Sequence, residues 1–322
     1  MKKKNRNIII FIVILLGFIW INNSNLFVKG NNTPKLLAHR GLAQTFDVSK
    51  VKWDTDTSKI IYTPEHSYLE NTIESMKAAF ENNANVVELD VKLTKDNKLA
   101  VFHDFALEYR TDGKGEVSDY TMEELKKLDI GYGYTADGGK TYPFRGKGIG
   151  LMPSLEEVFK EFPDKELLIH IKIDDVKAGK VLWGYLREMD KDRLSQITIY
   201  GDNAPIQYLK EQDENIRAMS KQIMKKGLIA YELLGWIGYI PKDIRNTEIH
   251  LPLNYAKFLW GWPNKFVQRM ESVNTRVVIV NGSGGFSEGF DDEKSLESIP
   301  KNFPGYIWTN RIDKISKLYK NQ

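Results

Sequence analysis

The residues best suited to chemistry stand in one stretch, Val86–Asp104, which reads VVELDVKLTKDNKLAVFHD. Its alternation puts Val87, Leu89, Val91 and Leu93 on one side of a strand and Glu88, Asp90 and Lys92 on the other. Two carboxylates on one strand face repel each other in a low-dielectric site, and one would protonate unless a cation lay between them. Hard divalent cations prefer oxygen ligands, so Glu88 and Asp90 are candidate metal ligands. A turn at Asp96-Asn97-Lys98 leads to a second short strand, Leu99–Phe102, that ends in His103-Asp104. A histidine beside an acidic pair is suited to proton transfer, and Asp104 is placed to orient it. Upstream, the apolar run Lys35–Ala38 ends in His39-Arg40-Gly41. His39 again stands at a strand end, Arg40 suits bidentate capture of an anion, and Gly41 permits a sharp turn.

These groups need elements that bring them together. After a long polar loop, Leu42–Leu69, a helix is expected from Glu70-Asn71-Thr72 to about Asn82, with Ile73, Met76, Ala79 and Phe80 on its apolar face. Asn71 or Thr72 would cap it. Past Asp104 a polar, Gly-rich insertion runs over about 105–152, with a short helix at Thr121–Leu128. Ser154 then caps helix Leu155–Phe162. From Glu166 strands alternate with helices. The strands are Glu166–Ile173, Gln196–Tyr200, Ile216–Ser220, Glu248–Leu253, Arg276–Asn281 and Gly305–Thr309. The helices are Val176–Met189, Pro205–Gln212, Lys265–Val273, Leu296–Asn302 and Ile312–Lys320, while Lys221–Leu234 is ambiguous. About eight strands alternating with helices predict an α/β fold, a TIM-type (β/α)₈ barrel with a small insertion after the second strand. In such barrels catalytic groups sit at the C-terminal strand ends. His170 and Lys172 share one face of the Glu166–Ile173 strand, and Trp308 on the last strand would wall the pocket. His66 and His250 read as ordinary residues.

Composition narrows the function classes. The 322 residues are 42% hydrophobic and 28% charged with net charge +3, and no basic tract follows the first six residues. Nucleic-acid binding therefore has no support. Without cysteine there is no disulfide, thiol nucleophile or cysteine metal site. At the N-terminus Lys2, Lys3, Lys4 and Arg6 precede the apolar run Ile8–Ile21, and Asn22-Asn23-Ser24-Asn25 interrupts it before Leu26-Phe27-Val28. A basic tip before an apolar run marks export, and no A-x-A site follows. We expect residues 1–28 to be a signal-anchor, helical over Ile8–Val28 and outside the barrel core, with residues 29–322 forming the exported domain after a GNNTP linker. That places the chain at the cell membrane with its catalytic domain extracellular, or secreted if the segment is cleaved. Trp260 and Trp262, near Phe258 and Leu259, are expected in the core or in an apolar patch against the membrane. No obligate protein partner is evident.

Taken in order, these residues resemble the glycerophosphodiester phosphodiesterases. Ala38-His39-Arg40-Gly41 is similar to that family's HRG, Glu70-Asn71-Thr72 to its ENT, Glu88-Leu89-Asp90 to its E-x-D and His103-Asp104 to its HD. Arg110-Thr111 with Gly113 and Gly115, Pro153-Ser154-Leu155-Glu156-Glu157 and Trp308-Thr309-Asn310 resemble its R-T-x-G-x-G, P-x-L-E-E and terminal W-T-x-N segments. The resemblance implies metal-dependent hydrolysis of a glycerophosphodiester to an alcohol and glycerol phosphate, on lipid head groups or glycerol-phosphate polymers outside the cell. It implies His39 and His103 as the acid/base pair, Glu70, Glu88 and Asp90 at one divalent cation, and Arg40 and Lys172 at the phosphate. Two features depart from the family. His170 stands where E-x-K is usual, and Leu69 stands where proline is usual before ENT. By resemblance the cation would be Ca²⁺ or Mg²⁺; a nitrogen ligand from His170 would shift preference toward Mn²⁺ or Zn²⁺. The alternative is a catalytically weakened barrel that binds phosphorylated surface polymers.

Overall fold

The structure, a computed structural model, describes residues 3–28, 33–52, 54–283 and 288–320. Residues 30–32 of the expected GNNTP linker lie outside the described residues. Nine strands form one sheet: β1 Lys35–Ala38, β2 Val86–Leu93, β3 Leu99–Val101, β4 Glu166–Ile171, β5 Ile197–Gly201, β6 Arg217–Ser220, β7 Glu248–Pro252, β8 Arg276–Val280 and β9 Tyr306–Thr309. Eight of them run parallel in the order β6-β5-β4-β2-β1-β9-β8-β7, and β3 hairpins back on β2. The path ends meet side by side without a strand ladder. There the Thr247 hydroxyl donates to the Ala218 carbonyl (2.8 Å) and bridges the seam. The result is the expected barrel, nearly closed.

Strand alternation sorts the side chains. Leu89, Val91, Ile169 and Ile199 face outward and join the main core against the helices. Leu37, Val86, Leu168, Val278 and Tyr306 point inward and fill the barrel. The polar members of the inward rows lie one layer up, toward the C-terminal strand ends. Register sets Asp90 of β2 opposite His170 of β4, and His170 opposite Tyr200 of β5.

The helices mostly follow the periodicity. Thr72 and Ser75 form a capping box at helix Ile73–Glu81, and loss of such a cap costs about 1 kcal/mol. Ser220 caps Lys221–Leu234, which resolves as one helix of 14 residues. The helix expected at Leu296–Asn302 is instead Glu293–Leu296. Asp292 and Ser295 box its start, and Pro300 disfavours helical backbone in the residue before it. The short helix of the insertion spans only Met122–Leu125.

The insertion has its own core, including Leu107, Met122, Leu125, Tyr134 and Phe144. The long loop after β1 joins it through Ile61 and Leu69. The Ser58 hydroxyl donates to the Tyr109 carbonyl (2.6 Å), and Arg110 donates to the Thr57 hydroxyl (2.7 Å). Loop and insertion therefore form one cap over one side of the barrel. The N-terminal helix, Lys3–Asn23, ends where the asparagines begin, five residues short of the expected Val28. Its apolar window has no buried residue, and it is long and apolar enough to cross a membrane.

Candidate active site

The first turn of the site is built by backbone strain. Arg40 (φ 57°) and Gly41 (φ 77°) are both left-handed. A Cβ on Gly41 would meet Ser75 Oγ at 2.5 Å and Met76 N at 2.9 Å, so only glycine fits. The turn aims the Arg40 N–H at Glu88 Oε2 (3.1 Å), and the Arg40 carbonyl accepts from the Asn71 N–H (3.0 Å). Asn71, also left-handed, donates its Nδ2 to Asp90 Oδ2 (3.1 Å) and accepts from the Asp90 N–H (3.1 Å). The two motifs that the sequence separates by about 30 residues thus lock the carboxylate strand between them.

Glu88 and Asp90 are fully buried on the inner face of β2. Glu88 Oε1 and Asp90 Oδ1 receive no hydrogen bond. The nearest group is His170, whose Nδ1 lies 3.7 Å from Glu88 Oε1 and 3.1 Å from Asp90 Oδ1. Ligand atoms of these three residues lie within 4.8 Å of one another. Two orphaned buried carboxylate oxygens and an imidazole nitrogen fit one divalent cation. Burial, then the neighbouring Asp90, pushes the Glu88 carboxyl up. Burial opposes Asp90 too, but His103, Arg40 and the His170 contact outweigh it and hold that carboxyl well below its ordinary range. His170 is raised: burial works against its charge, yet Asp90 and Glu88 prevail.

Glu70, expected with these ligands, stands apart from them. Its carboxylate accepts from Arg40 Nη1 (2.8 Å) and pairs with Arg110 Nη1 (3.2 Å). Arg40 Nε also reaches Asp90 Oδ2 (3.1 Å), and Arg110 Nε bonds Asp104. A buried chain of alternating charge therefore runs Asp90–Arg40–Glu70–Arg110–Asp104–His103. Arg110 comes from the insertion and lies over the Tyr134 ring at 5.0 Å. It belongs to the R-T-x-G-x-G segment, and nothing in its local pattern marks it as a site residue.

The two histidines are held differently. His39 Nδ1 is 2.6 Å from Asn310 Oδ1. Asn310 cannot turn over, because its Nδ2 donates to Asp291 Oδ2 (2.8 Å) and its N–H to Asp291 Oδ1 (2.6 Å). The amide oxygen must face His39, so Nδ1 carries the proton and Nε2 is a free base, 3.8 Å from Glu88 Oε2. Burial, then Arg40, lowers His39 well below its ordinary value. His103 Nδ1 donates to Asp104 Oδ1 (3.0 Å), and its Nε2 accepts from Lys172 Nζ (3.2 Å). Burial, then Arg40, pushes this ring down to about 4. Asp104 is itself held below its usual range: burial opposes this, and Arg110 outweighs it.

Both histidines, Arg40, Glu88, His170, Lys172 and Trp308 line one cavity of about 400 Å³ at the C-terminal strand ends. Its wall is a run of rings in contact, stacked at Tyr200–His170 and tilted or edge-on at the others. His39 lies 4.7 Å from Trp308, Trp308 5.3 Å from His250, His250 5.3 Å from Tyr200, and Tyr200 4.3 Å from His170. His250 is thus part of the wall, although it reads as ordinary in the sequence. Its alternation with Glu248 on β7 was the available signal. His66 stays outside the cavity, bonded to Gln44 (3.1 Å).

The sequence model described as "Glycerophosphoryl diester phosphodiesterase family" matches residues 39–229, from the first histidine through β6. The chain belongs to this family. A glycerophosphodiester phosphodiesterase of Caldanaerobacter subterraneus is 44% identical over 119 residues, 37% of this chain and 44% of that protein. One of Bacillus subtilis is 42% identical over 105 residues, 31% of this chain and 32% of that protein. The matched segments thus span less than half of these relatives. Solved structures agree on the fold over a greater length. A glycerophosphoryl diester phosphodiesterase domain from Mycobacterium tuberculosis has TM-score 0.63 at 15% identity, covering 89% of this chain and 99% of that one. A phosphodiesterase from Oleispira antarctica, solved with the product sn-glycerol-3-phosphate, has TM-score 0.57 at 17% identity, covering 90% and 98%. Within the family's barrel, this chain has His170 in the carboxylate cluster and an apolar helix ahead of β1.

Proposed function

We propose that this chain is a metal-dependent phosphoric diester hydrolase that cleaves glycerophosphodiesters to an alcohol and glycerol phosphate. The observation that carries the reading is the orphaned pair Glu88 Oε1 and Asp90 Oδ1 beside His170, at the floor of a cavity rimmed by His39 and His103. Glu88, Asp90 and His170 would hold one divalent cation. When bound, it supplies positive charge that neutralises a phosphoryl oxygen as negative charge builds. Glu70 serves this site through Arg40 and Arg110, which it fixes in place.

The protein's own groups divide the rest of the work. Lys172, which leans on His103 without substrate, is free to turn toward a phosphate, as a flexible ammonium can. Arg40 adds to the positive field but spends its guanidinium on Glu70 and Asp90. His39, neutral and with Nε2 free, is suited to accept the proton of the nucleophile, either water or a neighbouring glycerol hydroxyl. His103 has a carboxylate behind it, which stabilises the imidazolium form. Once Lys172 leaves it for the phosphate, His103 is suited to protonate the departing alkoxide. Trp308 packs on His39 and sets the cavity wall.

The chain acts at the cell membrane in this reading, with helix Lys3–Asn23 as a single anchor and the barrel outside. Head groups of deacylated lipids or glycerol-phosphate polymers would then be the substrates. The test is release of glycerol phosphate from a panel of glycerophosphodiesters and glycerol-phosphate polymers, with Ca²⁺, Mg²⁺, Mn²⁺ or Zn²⁺ added singly. Metal-stimulated turnover that chelation abolishes supports the reading; full activity after thorough chelation rejects the metal.

A further inference from the structure

The asparagine-rich stretch after the N-terminal helix is bonded into the barrel, which removes any slack between the two. Asn22 and Asn23 both donate to the Trp236 carbonyl (2.9 and 3.0 Å). Asn25 donates to the Trp262 carbonyl (2.9 Å), and its Oδ1 accepts from the N–H groups of Asn264 and Lys265 (3.1 and 2.9 Å). It therefore caps helix Asn264–Glu271, whose own N-cap position is Pro263. Arg269 of that helix is buried. Its guanidinium donates to Asn23 Oδ1 (3.0 Å) and the Asn22 carbonyl (2.8 Å), as well as to Tyr231 and Gly235. A buried guanidinium that leans on neutral acceptors from this segment would lose much of its solvation without it.

The surface around this lock is apolar and exposed. Two segments lead to it from the cavity wall. Helix Lys221–Leu234 has Lys221 and Met224 at the cavity and ends beside the lock; it exposes Ile229 (50%) and, one turn on, Leu233 (69%). The other segment starts at Pro252 in the cavity wall and ends at Trp262, exposing Tyr255 (61%) and Phe258 (70%). Lys225 and Lys257 are exposed on the same two segments, as is Glu232, a positive balance that suits anionic lipid.

We propose that this face, Ile229–Ile237 together with Tyr255–Trp260, is a membrane-docking surface that seats the barrel on the bilayer with the cavity rim near the lipid. The proposal rests on the reading that helix Lys3–Asn23 spans the membrane. The helix has 21 residues, about 31 Å at 1.5 Å each. Its apolar part, Ile8–Ile21, covers about 21 Å. The long side chains of Lys4 and Arg6 therefore reach out to one surface of a core of about 30 Å, while the other surface lies at the asparagines. The helix's last turn is already bonded to Trp236, so the bilayer surface must fall at the lock, and the apolar side chains around it meet lipid rather than water. Substrates carried in that leaflet would reach the cavity without leaving the surface.

The chain has no cysteine, so single cysteines can report depth. Leu233→Cys and Phe258→Cys probe the face, Ile14→Cys the helix, and Glu74→Cys the opposite wall, over β1 and β2. Each full-length variant is labelled with an environment-sensitive fluorophore and reconstituted in vesicles of phosphatidylcholine and phosphatidylglycerol, with circular dichroism as the check on folding. The expected result is blue-shifted emission, quenched by lipid-borne nitroxide, at 14, 233 and 258, and water-like emission at 74. Lipid contact at 14 with water at 233 and 258 overturns the docking face and leaves the anchor standing. Lipid contact at 233 and 258 with water at 14 keeps the face and removes the spanning helix. Water at all three overturns both, and lipid contact at 74 as well as 233 and 258 overturns a defined face.

Discussion

Buried carboxylates occur at both ends of the barrel, and they are treated in opposite ways. At the base, Glu248 accepts from His250 Nε2 (2.7 Å) and pairs with Arg276 Nη1 (3.5 Å), while Arg276 also bonds Glu166. There burial is answered by partners that the chain itself provides. Burial opposes the charge of Glu248, yet His250 and Arg276 outweigh it and hold the carboxyl below its ordinary range. At the mouth, Glu88 and Asp90 share Arg40 and His170 but keep one oxygen each without a donor. Desolvated anions are costly unless paired. The base sets one carboxylate against Arg276 and His250, whereas the mouth crowds two carboxylates beside His170 and is suited to a ligand. Neither burial nor a single unanswered oxygen tells the two apart, since Glu248 Oε2 also lacks a donor; the crowding of two carboxylates and an imidazole at the mouth does.

The largest test of that contrast removes a buried carboxylate charge at each end. Glu88→Gln should lower turnover by about 10³-fold or more, since a catalytic cation contributes several kcal/mol of charge stabilisation. Its apo form should melt no lower than the parent, because one of two crowded buried anions is gone. Mn²⁺ or Ca²⁺ should raise the melting temperature of the parent and not of the variant. Glu248→Ala should do the reverse. It leaves Arg276 and His250 short of a partner and should cost about 3–5 kcal/mol of stability, with turnover of the folded fraction lowered far less than in Glu88→Gln, since the change reaches the cavity only through the His250 ring. Equal loss of turnover in both variants would erase the distinction.

Next in size are the histidines. His39→Ala and His103→Ala should each lower turnover by about 10²–10⁴-fold and make the pH profile one-sided. The direction of the free-enzyme profile follows from the lowered rings. A base works only when neutral, and His39 is held well below 6.5. The acidic limb of kcat/KM should therefore lie below pH 6.5 rather than at it. His103 is neutral above about 4 in the free enzyme, so it must take up its proton with the anionic substrate, which raises its affinity for one. The alkaline limb of kcat should accordingly lie higher in the substrate complex than 4. A bell-shaped profile kept by either alanine variant would refute the pairing of roles.

A smaller effect separates the two supports. Asn310→Leu frees His39 Nδ1 from its amide and should cost about tenfold in kcat, one hydrogen bond's worth. Because the amide fixes which nitrogen is basic, the acidic limb should move while KM stays put. An unchanged limb would mean that Asn310 only closes the cavity wall.

The contrast also explains what could be read in advance. The metal pair and both histidines lie on strands or at strand ends, where a period of two and short spacing reveal a shared face. The first four motifs fall within residues 39–104, and the barrel follows from the alternation beyond them. What was hidden depends on pairs distant in the chain. Asp291 lies in irregular backbone and reaches His39 through Asn310, while also accepting from the Thr309 hydroxyl. Arg110 reaches Glu70 and Asp104 because the insertion folds against the loop after β1. The base ion cluster joins residues on β4, β7 and β8. The Asn22–Asn25 stretch read as a break in an apolar run, whereas its amides meet partners more than 200 residues away. No local pattern carries such pairings.

The smallest expected effect concerns a third carboxylate, exposed rather than buried. Glu65, in the loop after β1, accepts from Arg311 (2.7 Å) and Lys314 (3.0 Å) and so ties that loop to the closing helix Ile312–Lys320. Hydrogen bonds from Arg311, then Lys314, hold its carboxyl down to about 2, against 4.5 ordinarily. A lowered carboxyl stabilises the fold fully above its unfolded pKa, and that contribution fades as pH falls toward 2. Glu65→Gln should lower the melting temperature slightly at pH 7, and the gap from the parent should close between about pH 4.5 and 2. Solvent and salt screen so exposed a pair, so added salt should narrow the same gap at pH 7. The base pair Glu248–Arg276, out of reach of salt, should show no such narrowing. A Glu65 variant whose deficit is large and indifferent to salt would mean that exposure, like burial, fails to predict how a carboxylate is used in this barrel.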